Sequence, residues 1–228
     1  MPKFLETILN ILFPDRCVGC AALGSLICTR CATSLRPYPT IMRRMPETLA
    51  DVRVGFVFDG TLRAAVHQLK YRKQRRMARP LAAILAPLLG PALPAADGII
   101  AVPLHPRRLA QRGYNQAEEL ARELAALWGV PLVQGLARTR TTERQALLGT
   151  QERSANVLGA FQWESKTLPP RRLILLDDVL TTGATMGACA EALLLAGTDL
   201  VYGVALARSR PELDRGIGVP QGSVAPLP

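Results

Sequence analysis

Residues 172–185 read RLILLDDVLTTGAT. Four consecutive aliphatic residues leave a strand no polar side, so residues 172–176 read as a strand of a parallel sheet with helices on both faces. Two aspartates close it. A Val-Leu pair, two threonines and Gly183-Ala184-Thr185 lead into a helical pattern over residues 183–197, ended by Gly197. In an open α/β sheet, ligands bind beyond the carboxyl ends of the strands, which is where this reading puts Asp177 and Asp178. The loop of residues 179–182 then feeds a helix N-terminus, whose free N–H groups and partial positive charge suit a phosphate. Thr181, Thr182 and Thr185 add hydroxyl donors, and Gly183 lets the backbone approach closely. A phosphate accounts for the threonines and the glycine but repels the aspartates. They need a partner with donors or positive charge, such as the vicinal hydroxyls of a sugar or a hydrated Mg2+. Phosphate, diol and metal together describe a ribose 5-phosphate carrying a pyrophosphate.

The same alternation runs through the rest of residues 51–210. VRVGFVF (52–58), GIIAVPL (98–104) and DLVYGVALA (199–207) suit strands. TLRAAVHQLKYRKQRR and ARPLAAILAPLLG suit helices, with Gly90 and Pro91 as a stop. A further helix is capped by Asn115, complemented by Glu118 and Glu119, and stopped by Gly129 and Pro131. Strand-helix-strand order of this kind implies right-handed crossovers and an open, mainly parallel sheet.

Between the second strand and the Asn115 helix lies a loop carrying Leu104, His105, Arg107, Arg108 and Arg112. Arginine suits phosphate oxygens because its planar fork donates to two at once and stays charged. Each of these arginines also reads as an ordinary solvated charge. His105 has no evident partner in the sequence and reads as a loop or capping residue. Residues 138–161, polar and rich in Arg and Thr, read either as an active-site lid or as a helical hairpin at the sheet edge.

Four of the five cysteines, Cys17, Cys20, Cys28 and Cys31, form C-x2-C-x7-C-x2-C. Two such knuckles supply the four thiolates of a tetrahedral zinc site, and a site closed by four protein ligands is structural. The fifth, Cys189, reads as core. With Lys and Arg totalling 28 against 18 acidic residues, the formal charge is +10, which favours partners that carry phosphate. Lys70, Arg72, Lys73, Arg75 and Arg76, with Tyr71 among them, make a stripe that either tracks a nucleic-acid backbone or is the solvated face of a helix. The expected organisation is an N-terminal helix and zinc module over 1–38, a proline-rich linker over 39–50, the α/β domain over 51–210 and a flexible tail over 211–228. The sequence contains neither G-x-x-x-x-G-K-[ST] nor a G-x-G-x-x-G following a strand, so P-loop and dinucleotide folds are not supported. No apolar run is long enough for a membrane span, and no cleavable leader is evident, so a cytoplasmic protein is expected.

LILLDDVLTTGAT resembles the signature of type I phosphoribosyltransferases. The resemblance implies that Asp177 and Asp178 contact the ribose hydroxyls of phosphoribosyl pyrophosphate (PRPP), bound with Mg2+. It gives the 5-phosphate to Thr181, Thr182, Gly183, Ala184 and Thr185, and the pyrophosphate to the loop with Leu104, His105, Arg107, Arg108 and Arg112. The order VPLHPRR…RGYNQAEELA, RTRTTERQ, LILLDDVLTTGAT behind a four-cysteine cluster is similar to the ComF family of competence and gluconate-utilisation proteins. It also resembles the phosphoribosyltransferase part of glutamine amidophosphoribosyltransferase, but position 2 is Pro rather than a nucleophilic Cys, so glutamine-dependent amination is not expected. Tyr114 stands where the family pattern has Phe. Two functions follow from the resemblance: phosphoribosyl transfer with release of pyrophosphate, or an accessory role in DNA uptake with the competence machinery, binding single-stranded DNA with PRPP as a ligand. The acceptor and the oligomeric state are not legible in the sequence.

Overall fold

The computed structural model describes residues 14–39, 46–71, 74–139 and 159–209. The expected helix over residues 1–13, Arg72, Lys73, the tail and most of the segment 138–161 lie outside them. Four strands, β1 (Asp51–Val57), β2 (Gly98–Ala101), β5 (Arg172–Leu180) and β6 (Leu200–Arg208), form one parallel sheet in the order β1-β6-β5-β2. A separate antiparallel ribbon joins β3 (Leu136–Arg138) and β4 (Phe161–Trp163). The helices are α1 (Thr29–Thr33), α2 (Gly60–Tyr71), α3 (Ala78–Leu89), α4 (Pro106–Arg112), α5 (Gln116–Trp128) and α6 (Ala184–Leu195).

Successive side chains of an extended strand point to opposite faces, and the sheet has a core on each. Ile174 and Leu176 of β5 join Leu62, Leu69, Leu81, Leu85, Leu120 and Leu124 of α2, α3 and α5. Leu173 and Leu175 join Met186, Cys189, Ala190 and Leu193 of α6 and Phe161 of the ribbon. This is why the aliphatic run is continuous: each face of β5 is dry. The cysteine module shares the first of these cores through Cys17, Leu26, Ile27, Cys31 and Leu35.

The described residues on either side of 40–45 contact the main domain. Tyr38 N–H donates to the Gly55 carbonyl and Val57 N–H to that of Arg36, so residues 36–38 line the free edge of β1. Further on, Leu49 is buried, and the Thr48 hydroxyl donates to the Gly187 carbonyl at 3.0 Å.

The strand expected over 98–104 ends at Ala101, and two further differences bear on the site. β5 continues through Leu180, four residues past the aliphatic run, because Asp177, Val179 and Leu180 still pair with Ala205, Ala207 and Arg208 of β6. The loop before α6 is therefore only residues 181–183. The arginine-bearing stretch is helical rather than a loop. Pro106, whose ring fixes a helical φ, stands in the first turn of α4, and His105 Nδ1 accepts from Arg107 N–H at 3.1 Å as the cap. Gly113, at φ 78°, ends the helix and lets Asn115 cap α5, its side chain accepting from Ala117 N–H at 3.1 Å.

Candidate functional site

Beyond the carboxyl ends of β2 and β5 lies a cleft of about 560 Å3, lined among others by Lys70, Arg108, Arg112, Arg138, Asp177 and Asp178. Because β5 is still extended at its aspartates, the two carboxylates leave the strand on opposite faces. Asp178 is 3% exposed and faces α2 and α5. It is ion-paired with the Lys70 ammonium, and Gln116 Nε2 donates to its Oδ1 at 3.4 Å. Gln116 in turn accepts from Arg112 at 2.7 Å. A chain of polar side chains thus runs from α4 through α5 and β5 to the end of α2. Asp177 is half-buried and lies toward α6, beside the Cys189 thiol. Burial, reinforced by the Asp178 charge and opposed by Lys70, raises it well above the ordinary carboxylate range, to about 8. Burial and the Asp177 charge also push the Cys189 thiol up, which keeps it an inert core group as the sequence reading has it.

At the mouth of β5, Thr181 and Thr182 are exposed, and Gly183 takes φ 85°, a left-handed conformation that a side chain disfavours. Thr182 Oγ1 accepts from Ala184 N–H at 3.4 Å, and Thr185 lines the cleft. Pro46 lies against the start of α6: a Cβ on Gly187 would come within 2.8 Å of it.

Across the cleft, Leu104, Arg108 and Arg112 line the wall, whereas His105 serves as the α4 cap. Burial and the charges of Arg138, Arg107 and Arg108 lower the His105 pKa, which keeps its capping nitrogen a neutral acceptor. Arg107 is exposed and does not line the cleft. Three cleft residues escaped the sequence reading as site groups. In the sequence Lys70 reads as part of the basic stripe, Gln116 stands unremarked within RGYNQAEELA, and Arg138 opens the polar segment. Arg138, at the end of β3, lies 5.4 Å over the Phe161 ring, and burial with the nearby Arg108 charge lowers its pKa. Gln116 and Arg138 stand in stretches that carry the family resemblance, RGYNQAEELA and RTRTTERQ, but only the tertiary fold brings them beside Asp178 and Asp177.

Of the basic stripe, Lys70, Arg75 and Arg76 lie among the described residues, and Arg72 and Lys73 lie outside them. Lys70 points into the cleft, Arg75 pairs with Glu119 at 2.9 Å and covers the Tyr114 ring, and Arg76 pairs with Asp15 at 3.0 Å. Tyr114 is 5% exposed, and its hydroxyl donates to the Leu69 carbonyl at the end of α2. The hydroxyl that distinguishes it from Phe thus ties α4–α5 to the helix carrying Lys70.

In the cysteine module, the sulfurs of Cys17, Cys20, Cys28 and Cys31 all lie within 4.8 Å of one another. That spacing fits four thiolates around one zinc ion, for which Zn–S distances of about 2.3 Å are usual. Burial works against the Cys17 thiolate, but N–H groups of Cys28, Cys20 and Gly19 outweigh it and bring the thiol down to about 6. Cys20 is lowered by the Ala22 N–H and by Arg30. Cys31 is pushed up to about 12 by burial and its three sulfur neighbours, the crowding a cation would relieve. The module sits tightly on α2. A Cβ on Gly19 would come within 2.6 Å of Thr61 Oγ1.

The molecule is therefore a mainly parallel α/β protein with a ligand-sized cleft at the carboxyl edge of its sheet and a four-cysteine module on one face. Among known proteins, it is 32% identical over 193 residues to DNA utilization protein YhgH of Salmonella typhi, covering 81% of this chain and 79% of that one. It is 28% identical over 194 residues to Competence protein F of Haemophilus influenzae, covering 80% and 84%. The chain belongs to this family of ComF proteins. No family model matches it. Among solved structures, the B. subtilis glutamine PRPP amidotransferase complexed with ADP and GMP aligns with a TM-score of 0.37 and 20% identity, over 60% of this chain and 26% of that one. No helix among the described residues is long and apolar enough to cross a membrane.

Proposed function

We propose that the cleft binds PRPP with Mg2+ and that the protein is a phosphoribosyltransferase-like member of its family. The observation that carries this reading is the meeting, in one cleft, of the Asp177–Asp178 pair of β5 with Arg108 and Arg112 from the neighbouring crossing. A sugar bearing phosphates at two ends needs acidic groups between two phosphate sites, and that is the order along this sheet edge. The 5-phosphate goes to Thr181, Thr182, Gly183, Ala184 and Thr185 at the start of α6, where N–H groups and hydroxyls meet. The pyrophosphate goes to Arg108 and Arg112, with Arg138 beside them, all able to donate to oxygens of a leaving anion. Asp177 and Asp178 take the ribose hydroxyls. Lys70 and Gln116 hold Asp178, so binding requires Asp178 to share these partners or exchange them. Mg2+, when bound, offsets the charge of the pyrophosphate oxygens. In phosphoribosyl transfer the protein mainly positions reactants and stabilises departing charge, so the lack of an obvious general base does not count against it.

Calorimetric titration with PRPP and Mg2+ tests the reading. Saturable binding that disappears in Asp177→Ala plus Asp178→Ala is expected; no binding, or unchanged binding in that variant, overturns it. Pyrophosphate release in the presence of bases, amines or single-stranded DNA then separates turnover from ligand binding.

A second reading is favoured by the names of the relatives, DNA utilization protein and Competence protein F: an accessory role in handling DNA with the competence machinery, PRPP being a ligand rather than a consumed substrate. Binding to single-stranded DNA that weakens steeply with salt is the expected signature.

A further inference from the structure

Lys70 stands in the last turn of α2, where a cation complements the helix end. Two contacts from the α4–α5 junction fix that end. The Tyr114 hydroxyl donates to the carbonyl of Leu69, one of the last four that have no partner inside the helix, and the Arg112 guanidinium lies 4.9 Å over the Tyr71 ring. From this fixed backbone the Lys70 side chain reaches the Asp178 carboxylate. The Lys70 side chain is 19% exposed and that of Asp178 5%, so the ammonium is the part of the pair that meets the cleft. Lysine is the exception among the basic residues. There are 28 of them, and apart from Lys3, Lys70, Lys73 and Lys166 all are arginine. The choice matters at this position. An arginine fork grips a carboxylate at two points, whereas an ammonium on a four-carbon stem is a single charge that turns from one oxygen to another.

The pairing closes Asp178 to neutral groups. In the PRPP reading, on which this inference rests, Asp178 turns from Lys70 to a ribose hydroxyl. A hydroxyl is a weaker partner for a buried carboxylate than an ammonium, and an ammonium set free inside the cleft needs an anion of its own. Lys70, Arg108 and Arg112 line the same cleft, so a diphosphate held by the two arginines also supplies that anion. Gln116, which donates to Asp178 Oδ1 at 3.4 Å, keeps one donor on the carboxylate while Lys70 turns away.

We infer that Lys70 is a specificity-determining residue: it bars the ribose from Asp178 until a pyrophosphate group in the same cleft draws its ammonium away. Sugar phosphate and pyrophosphate then bind with positive coupling, although both are anions. A sugar monophosphate brings nothing for the displaced ammonium and is rejected. The acidic strand end opens only to a ligand phosphorylated at both ends.

The full-length protein is titrated by calorimetry in Mg2+ with PRPP, with ribose 5-phosphate, and with ribose 5-phosphate in saturating pyrophosphate. In the wild type, pyrophosphate should tighten ribose 5-phosphate about tenfold, the factor a charged hydrogen bond contributes. In Lys70→Gln and Lys70→Met, ribose 5-phosphate alone should bind about tenfold more tightly than in the wild type and PRPP about tenfold more weakly, and the coupling should vanish. Lys70→Arg keeps the ion pair, and with it the fold, and should reject ribose 5-phosphate as the wild type does. A lysine with only a structural role predicts the opposite sign, a loss for every ligand on substitution. Unchanged or weaker ribose 5-phosphate binding in folded Lys70→Gln and Lys70→Met protein overturns the inference. So does pyrophosphate that leaves ribose 5-phosphate binding unchanged in the wild type. PRPP that binds without such coupling sinks this inference alone, whereas no binding of PRPP sinks the reading of the cleft as well.

Discussion

The crossings that leave β2 and β5 share a plan, a strand followed by a turn and a helix at the same edge of one sheet, and they present opposite chemistry. The β5 crossing places two carboxylates on the strand and then only hydroxyls and glycine before α6. The β2 crossing places no carboxylate before α5 and concentrates Arg107, Arg108 and Arg112 on α4. One crossing is a three-residue turn and the other contains a helix of its own. Equivalent places in one fold are thus specialised by what the local backbone does. A short turn with Gly183 at φ 85° exposes backbone N–H groups, whereas a capped helix projects side chains. A polar chain, Arg112–Gln116–Asp178–Lys70, then ties the two together.

The largest expected effect comes from cutting that tie on the acidic side. Asp178→Ala leaves the Lys70 ammonium, 19% exposed, without its partner; breaking a buried pair in this way costs about 3 to 5 kcal/mol. Denaturant unfolding should show a loss of that order, and a loss below about 1 kcal/mol would mean that the pair is effectively solvated.

Next comes the cationic side. Arg108→Ala plus Arg112→Ala should weaken PRPP or pyrophosphate binding by roughly ten- to a hundredfold, each charged hydrogen bond contributing about 1.5 kcal/mol or more. Binding of ribose 5-phosphate should change much less. Equal losses for both ligands would erase the division between the crossings.

A smaller effect sharpens the role of the α5 start. Asn115→Ala removes the cap on Ala117 N–H and the bond from Nδ2 to the Val102 carbonyl at 3.0 Å, so a loss of about 1 to 2 kcal/mol is expected. The matching position of α6 is Gly183, which has no side-chain cap, so no equivalent loss is available there.

The last effect is in pH dependence, read as a drift of Tm with pH rather than as a loss at one pH. Asp177 is raised from 3.8 to about 8 in the folded protein. Between those values the folded state keeps a proton that the unfolded chain releases, so this group's contribution to stability falls as pH rises through the window. Asp177→Asn should therefore melt relatively higher than the wild type at pH 8 than at pH 4. A constant difference in Tm across that range would show that Asp177 ionises normally.

Much of the fold was legible because its signals are local. The aliphatic run of β5, the Asn115 cap and the Gly129 stop each act within one turn or one strand, and each stands where the sequence puts it. The extension of β5 through Leu180 was not legible, since DDVL has no strand signal of its own and is held extended by pairing with β6. The helix α4 is not legible for a different reason. Seven residues with one proline and three arginines look like a loop until His105 is seen to cap them. Within the basic stripe, Lys70, Arg75 and Arg76 pair with three acidic residues from distant segments, and adjacency in the chain carries no signal of those partners.

By itself, then, the sequence determined an open parallel sheet, the location of its acidic strand end, and four thiolates at zinc-like spacing, because strand periodicity, helix caps and cysteine knuckles are properties of neighbouring residues. Long-range packing sets the rest: Asp177 and Asp178 part to opposite faces, Lys70 and Gln116 hold one of them, and the cysteine module seats on α2. Those are contacts between residues far apart in the chain, fixed by how α2, α5 and the module pack on the sheet, and no short-range pattern encodes them.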